Sequence, residues 1–481
     1  MSQRPGDGAP RIWSRAAYVY GLVFALGLAY FLLRMPYQIS DDLEHLLIFQ
    51  FQTLDDVIRT RFTTVESMRP GMWVTQKVLF DLAPSGHYFA TFKAVHVAEL
   101  VLVIVLFIRL LRIRTATDFL ALPLTLAVLV GMHTFNVTMR EAYPVNHFMS
   151  VLVCCLAVAN LADTAPRWWH DALAALISLY ALFTIETGVL VWVCILTAYV
   201  CGWRGISRKG VIAATAILVI YLIVRFTMLD VGTRTIGAMS SGYGFSVRDT
   251  GTLEAMFGRE PWKFYAYNVA CAALTILFAE PRSGVFQFTH YVTLGAVPAW
   301  SLINVTVATI GTVLIAICIG RRTSRWIRWT FDRDDGLLLL FIAVCAANAV
   351  ISYPYLKEVV LSPAGMFYAA ALFIALRELL ERSGASVSMP KAMLLAIPLI
   401  VLSAGWTLRA AGLVETMRET AFVNRNDWAV AEEREDEVRP KWRTRHPDAE
   451  RLVADLKKEI VEMPVPQPYT LRATRGWFDP Y

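Results

Sequence analysis

The chain is a succession of apolar runs, each nearly as long as a membrane-crossing helix, joined by polar loops. A helix needs about 17 to 25 predominantly apolar residues to cross a bilayer. Charged residues make up only 17% of the chain, whereas they average about 25% in soluble domains. The pattern therefore predicts an all-α polytopic membrane protein whose first partner is the lipid bilayer.

Basic residues cluster in short loops, namely RLLRIR (109–114), GWRGISRKG (202–210) and RRTSRWIRWTFDR (321–333). The positive-inside rule assigns such loops to the cytoplasm. A path with the N-terminus inside and the C-terminus outside then contains about 11 transmembrane helices, with 12 or 13 as alternatives. The net charge of +6 is explained by this bias, and no nucleic-acid-binding module is visible. We expect a multi-pass protein of the bacterial inner (plasma) membrane.

The transmembrane module is predicted over residues 1–410, with long outer loops at 34–88 and 229–296. The second loop contains YAYNVACAALTILFAEP (265–281). This run is short for a span, and it predicts an interfacial or re-entrant helix. Residues 411–481 are highly charged with scattered apolar positions, which predicts a mostly helical polar tail on the outer face.

The first outer loop begins with an acidic motif in MPYQISDDLEHLLIFQFQ (35–52). One interpretation is a helix cap, because serine and aspartate are favoured at helix starts. In a helix, however, Asp41, Glu44 and His45 share one face. Neighbouring carboxylates raise one another's pKa unless a cation compensates, and a carboxyl of tunable pKa suits a general base. We therefore hypothesise a catalytic site that includes Asp41 or Asp42.

Further ionisable residues lie later in the same loop and in every other predicted outer loop. In chain order these are Arg69, Arg140, Glu141, Glu186, Arg234 and Lys357, together with His147 in the second turn. Ionisable groups at membrane depth are expensive, so each one suggests function. Ordinary alternatives remain open: Arg140 and Glu141 as a solvated turn, and Lys357 as a side chain that reaches the lipid headgroups.

These motifs and their layout resemble the GT-C superfamily of polytopic glycosyltransferases, which includes protein O-mannosyltransferases and aminoarabinose transferases. Asp41-Asp42 with His45 is similar to the Asp-Glu-x-His arrangement that follows the first transmembrane helix of the O-mannosyltransferase branch. This chain departs from it by one extra residue and by aspartate in the second position. YPYLKEVVLSPAGMFYAAALF (353–373) is similar to the stretch before a late helix, where a basic residue can meet the donor phosphate. The resemblance covers the layout of residues 12–410.

The resemblance implies an inverting glycosyltransferase that moves a sugar from a polyprenyl-phosphate donor to a glycan, lipid or protein acceptor outside the cytoplasm. Asp41 or Asp42 would be the base. The donor phosphate would be bound by basic residues, for which the candidates are Lys357, Arg69, Arg140 and Arg234. Four further residues would lie near the substrate or a metal: Glu44, His45, Glu141 and Glu186. A divalent cation, Mg²⁺ or Mn²⁺, on Asp41, Asp42 and Glu44 stays open, because carboxylate oxygens suit both ions.

Three alternative functions compete with this interpretation. A secondary transporter would place ionisable groups near the midplane, usually within inverted repeats, and the sequence shows no repeat. An O-antigen polymerase or ligase would use a lipid-diphosphate donor and arginines of late outer loops. A non-catalytic membrane scaffold would need none of these groups.

Overall fold

The computed structural model describes residues 9–39, 41–63, 69–84, 86–132, 135, 138–139, 146–228, 239–240, 247–278, 288, 291–354, 356–384, 389–431 and 449–467. These residues are almost entirely helical. The first nine helices are α1 (Ala9–Leu32), α2 (Asp41–Phe51), α3 (Leu54–Thr63), α4 (Pro70–Leu82), α5 (Tyr88–Leu111), α6 (Ala116–Gly131), α7 (His147–Ala162), α8 (Trp168–Thr184) and α9 (Val189–Val200). A 3₁₀ turn, Glu186–Gly188, joins α8 to α9.

The second half of the chain continues in the same way. Its helices are α10 (Arg208–Ile223), α11 (Thr250–Phe257), α12 (Pro261–Phe278), α13 (Ala299–Ile327), α14 (Arg333–Ile351), α15 (Ser362–Gly384), α16 (Met389–Ala429) and α17 (Ala449–Val461). A π-helical turn, Val224–Met228, extends α10, and a 3₁₀ turn, Glu358–Leu361, precedes α15. Two short strands, Met239–Ser240 and Val247–Arg248, pair in antiparallel register.

Seven helices of the described residues are long and apolar enough to cross a membrane: α1, α5, α10, α13, α14, α15 and α16. Three shorter apolar helices, α6, α7 and α9, accompany them. The predicted class, a polytopic helical membrane protein, is confirmed. Each of the predicted spans falls on a helix, but the total of eleven stays a prediction, because only seven helices meet the length and hydropathy required.

Helix α15 forms the centre of the bundle and packs against α6, α7, α13 and α14. Its middle is built from small residues, including Ala369, Ala370 and Ala371, all fully buried. Small side chains let neighbouring helices approach closely inside a membrane. Tyr368 brings a polar group into this core, and its hydroxyl donates to the carbonyl of Ala308 on α13 at 3.1 Å.

One end of the bundle is closed by ion pairs where α13 turns into α14. Asp332 caps α14 in a capping box with Asp335. The fully buried Asp335 carboxylate is paired with Arg322 and Arg325, each at 3.1 Å. Arg377 of α15 pairs with Asp334 of α14 and reaches Asp118 of α6 at 3.8 Å. The most basic loop of the sequence is therefore folded into a neutralised network.

Helix α12 covers most of the run predicted as interfacial or re-entrant. The Asn268 amide donates to the carbonyl of Tyr353, at the outer end of α14. The Leu277 carbonyl accepts a hydrogen bond from the Thr312 hydroxyl of α13. Thr312 lies about 20 Å along α13 from the first residue of that helix. Helix α12 therefore packs along α13 and α14, and its assignment as interfacial or re-entrant stays a prediction.

Helix α16 is longer than the sequence predicts. Helix α16 continues without a break to Ala429, so the boundary placed at residue 410 falls inside it. Leu413, Met417 and Ala421 are buried at intervals of four, which keeps one face of the helix against the bundle. Nothing in this stretch forces a stop, since it contains no proline.

Candidate functional site

The first outer loop folds into three short helices, α2, α3 and α4, that are covered by the tail. Leu43 and Phe49 of α2 and Leu456 and Ile460 of α17 share one apolar cluster. Trp428, at the end of α16, donates its indole N–H to the carbonyl of Tyr37 at 2.6 Å. The acidic helix α2 is thus enclosed between the bundle and the tail.

Asp42 is buried at the first turn of α2, with 1% of its surface exposed. Its Oδ2 accepts the backbone N–H of Gln38 at 2.8 Å, a bond that fixes the chain entering the helix. Its charge interacts with the Lys93 ammonium and the Tyr37 phenol. The helix begins at Asp41, whose side chain lies outside the described residues. The motif is therefore more than a solvated cap, because a buried carboxylate faces a buried cation.

Lys93 lies in the second turn of α5, with 1% of its surface exposed. Its Nζ is 5.1 Å from the centroid of the Tyr37 ring and 5.7 Å from that of Phe89. Aromatic faces attract such a cation. Within the described residues Nζ has no hydrogen-bond partner. An ammonium ion has three donors, so Lys93 has donors that the described residues do not use.

The same helix carries two further ionisable residues at intervals of three, His96 and Glu99. His96 is fully buried. Glu99 Oε1 accepts from the Ser150 hydroxyl of α7, while Oε2 has no hydrogen-bond partner among the described residues. Glu99 lies about 16 Å along the helix from Tyr88, close to the middle of a span. Lys93, His96 and Glu99 thus follow one another at intervals of three residues, from the second turn of α5 towards its middle.

Helix α4 connects the acidic helix to the neighbouring outer turns. Trp73 lies with its ring centroid 4.5 Å from that of His45 on α2. The Arg61 guanidinium lies over the Trp73 ring, with its Cζ atom 3.6 Å from the ring centroid. One turn further, Gln76 is fully buried, and its amide has no hydrogen-bond partner in the part of the chain described. Trp73 is buried in this cluster rather than placed in an interfacial aromatic belt.

Arg69, at the start of α4, meets Glu186 in the turn between α8 and α9. Arg69 donates to Glu186 through Nε at 3.2 Å and Nη2 at 2.7 Å. Arg225, in the π-helical turn, donates to the same carboxylate at 3.0 Å. Burial by itself raises the pKa of Glu186, but the two guanidiniums outweigh it and bring the pKa to about 2. Two cations share one carboxylate, so the triad keeps one net positive charge.

The other predicted residues are distributed as follows. Glu44 and His45 are half-buried on α2, and Lys357 is half-buried just before the 3₁₀ turn that leads into α15. His147 is buried at the start of α7. Arg140, Glu141 and Arg234 lie outside the described residues.

No group of three or more His, Cys, Asp and Glu side chains in the described residues could hold a metal ion. The predicted cation site used Asp41, whose side chain is not among them, so the divalent-cation hypothesis is neither supported nor opposed by this geometry. Asp42 is instead balanced by the ammonium of Lys93.

Sequence reasoning missed several members of this cluster: Arg61, Gln76, Lys93, His96, Glu99 and Arg225. A signal for three of them was present, since Lys93, His96 and Glu99 recur at intervals of three inside a predicted span, where ionisable residues suggest function. The search of protein-family models, curated proteins and solved structures finds no match to this chain.

Proposed function

We propose that the protein is an inverting glycosyltransferase of the GT-C type, using a polyprenyl-phosphate sugar as donor. The observation that carries the proposal is the burial of Asp42 and Lys93 close enough for their charges to interact. Asp42 lies in the first turn of α2, and Lys93 lies in the second turn of α5. We propose that a lipid-linked phosphate enters beside them. A buried carboxylate needs a compensating cation, and here the cation also retains unused donors.

In the proposed reaction Asp42 accepts the proton of an acceptor hydroxyl. The hydroxyl oxygen attacks the anomeric carbon of the donor sugar and forms the new glycosidic bond. The bond from the anomeric carbon to the phosphate oxygen breaks, and its electron pair leaves with the polyprenyl phosphate. Glycosyl transfer passes through an oxocarbenium-like state, which a nearby carboxylate stabilises.

The leaving phosphate needs positive charge, and two groups could supply it. Lys93 carries donors without a protein partner. Arg69 and Arg225 are held in fixed orientation by Glu186. Charge-assisted hydrogen bonds from such groups are strong, and they act where charge develops in the transition state. Lys357 and the undescribed Arg140 and Arg234 remain further candidates.

Location and layout complete the proposal. We place the site on the extracytoplasmic side of a bacterial inner membrane, because the acidic helix lies at the end opposite the basic loops. We also propose about eleven spans, as all the predicted spans fall on helices. The acceptor would be a glycan, lipid or protein hydroxyl.

The test measures release of polyprenyl phosphate from a panel of polyprenyl-phosphate sugars by the protein in nanodiscs. Asp42→Asn should lower release by at least about 100-fold, since a positioned base contributes that much or more. Asp55→Asn is the matched control, because Asp55 is an exposed carboxylate of the same outer loop. Its rate should equal that of wild type. Asp41→Asn, measured beside them, tests the alternative base.

The proposal fails if Asp42→Asn and Asp41→Asn both release polyprenyl phosphate at the wild-type rate. Lys93→Met should also abolish release, whereas a purely structural lysine would lower the melting temperature without changing turnover per folded molecule.

A secondary transporter is the second candidate, favoured by one observation. Glu99 lies near the middle of α5, beside the buried Ser150 of α7. Proton-coupled transporters place carboxylates at this depth. The protein is reconstituted in proteoliposomes that contain a pH-sensitive dye. A proton-coupled transporter would conduct protons down an imposed pH gradient, and Glu99→Gln would abolish this proton flux. A transferase would show no such flux and would keep releasing polyprenyl phosphate after Glu99→Gln.

A further inference from the structure

A second polar site lies at the opposite end of the bundle from Asp42. A pocket of about 540 Å³ opens between the start of α1 and the end of α5. Its principal lining residues are Arg15, Tyr18, Arg109, Arg112, Arg114 and Thr164. This volume is within the range of ligand sites, and the lining combines guanidinium groups with hydroxyls. The proposed transferase chemistry uses none of these residues.

Among the described residues, one of the four arginines, Arg112, has an ion-pair partner. Arg112 pairs with Asp163 at 2.9 Å, and the other oxygen of Asp163 pairs with Arg333 of α14, also at 2.9 Å. Arg112 ends α5 in the left-handed region with φ 53°, a conformation that non-glycine residues rarely adopt. The packed ion pair holds it there. Arg112 is thus a fixed wall of the pocket.

The other three arginines, Arg15, Arg109 and Arg114, are exposed and make no ion pair within the described part of the chain. Three uncompensated guanidiniums around one concave space repel each other. They therefore favour an anion that several of them can share. Guanidinium groups recognise phosphate oxygens by paired N–H donors.

The pocket continues into a surface suited to lipid chains. Val19, Val23 and Leu26 of α1 are 63%, 64% and 54% exposed, and they follow Arg15 at helical spacing along one stripe. On α5, exposed Leu102 lies two turns before Arg109. Both stripes belong to candidate membrane spans. A ligand whose charged group sits among the arginines could place apolar chains along these helices.

We propose that this pocket binds the phosphate of an anionic phospholipid in the leaflet that faces the basic loops. The phosphate ester is the group that the arginines recognise, and the apolar stripes favour a lipid as its source over a soluble phosphate. Basic pockets between membrane helices on the cytoplasmic side bind acidic headgroups in this way. The lipid would tie α1 to the end of α5.

The test counts phosphatidylglycerol bound to the detergent-purified full chain by native mass spectrometry during a lipid titration. The variant Arg109→Gln with Arg114→Gln should weaken the tightest binding event by about 30-fold, since each basic group near a membrane surface contributes about five-fold. The matched control is Arg208→Gln with Arg328→Gln, two exposed arginines outside the pocket, which should bind as wild type does.

Arg15→Gln provides an independent variant from the other helix, and it should weaken the same event by about five-fold. Melting temperature, measured alongside, shows that each variant is folded. Equal binding by wild type and both pocket variants would overturn the proposal. In a competition experiment, glycerol 1-phosphate is added to the lipid-bound protein. Displacement of the lipid at micromolar glycerol 1-phosphate would identify a site for soluble phosphates and overturn the lipid assignment. Displacement only at tens of millimolar or above supports it.

Discussion

The two ends of the bundle hold their buried charges in opposite ways. At the basic end, Asp335 is shared by two arginines, and Arg377 joins α15 to both α14 and α6. At the opposite end, Lys93 and Gln76 keep polar atoms without hydrogen-bond partners in the described residues. Buried polar groups are normally satisfied. The basic end also has such atoms, Arg322 Nε and Trp326 Nε1, but its charges are shared among several ion pairs that join neighbouring helices. Under the proposed function, a substrate would supply the partners that are missing around Lys93.

The largest expected effect is at the basic end. Asp335→Ala should lower the free energy of unfolding by about 3 kcal/mol, because it removes a fully buried carboxylate that pairs with Arg322 and Arg325 and completes the capping box of α14. The melting temperature in detergent measures this loss. Turnover per folded molecule should stay at the wild-type level, since the network lies at the other end of the bundle.

Asp55→Ala serves as the control for that variant. Asp55 forms an exposed pair with Arg59, and exposed pairs contribute little, so the melting temperature should not change. An Asp335→Ala protein as stable as wild type would contradict the comparison between the two ends.

The second effect concerns Asp42 and Lys93 together. Each single variant, Asp42→Asn or Lys93→Met, leaves one buried charge uncompensated, whereas the double variant leaves none. The double variant should therefore be more stable than the sum of the single effects predicts, with a coupling of about 1 to 3 kcal/mol. Thermal unfolding of all four proteins measures the coupling. Strictly additive effects would show that the two charges do not interact.

The third effect concerns the contact between Trp428 and Tyr37, which holds α16 beside the acidic helix α2. Trp428→Phe keeps the ring but removes the indole N–H that Tyr37 accepts, so the unfolding free energy should fall by about 1 kcal/mol. Amide hydrogen exchange in α2 should become faster, because α2 loses a fixed neighbour. Trp168→Phe, on an exposed tryptophan of α8, is the control. Unchanged exchange in α2 would show that the tail does not hold this helix.

The fourth effect is a pH dependence of the triad. The pKa of Glu186 is about 2 in the folded protein, against an ordinary value of 4.5. A lowered pKa means that the stabilisation is complete above about pH 4.5 and is lost as the pH falls towards 2. The difference in melting temperature between wild type and Glu186→Gln should therefore shrink from pH 6 to pH 3. A difference that grows on acidification would contradict the assignment.

The sequence predicted the helical class, because long apolar runs have one physical solution in a bilayer. Seven of its helices are long and apolar enough to cross a membrane. The sequence also singled out the acidic motif, although it did not indicate the cation that interacts with Asp42. Lys93 belongs to the next span, and only the packing of α5 beside α2 brings the two together. The predicted outer-loop residues Arg69 and Glu186 pair directly. Arg225 joins them through a π-helical turn that no sequence pattern indicates.

The two ends also differ in the sequence separation between the residues that contact each other. The capping box of α14 is formed by residues three apart, so a sequence pattern can find it. The apolar side chains of α2, by contrast, pack against a tail about 400 positions later in the chain. The end of α16 could not be placed from composition, because its outer part is charged yet still buries one residue in every four.

The contact between Trp428 and Tyr37 joins segments 391 positions apart. During synthesis, therefore, the acidic helix leaves the ribosome long before its cover exists. Chains elongate at about 5 to 20 residues per second, so α2 waits some tens of seconds with its apolar face unprotected. Until the tail has been synthesised, this loop would be exposed to proteases and open to chaperone binding.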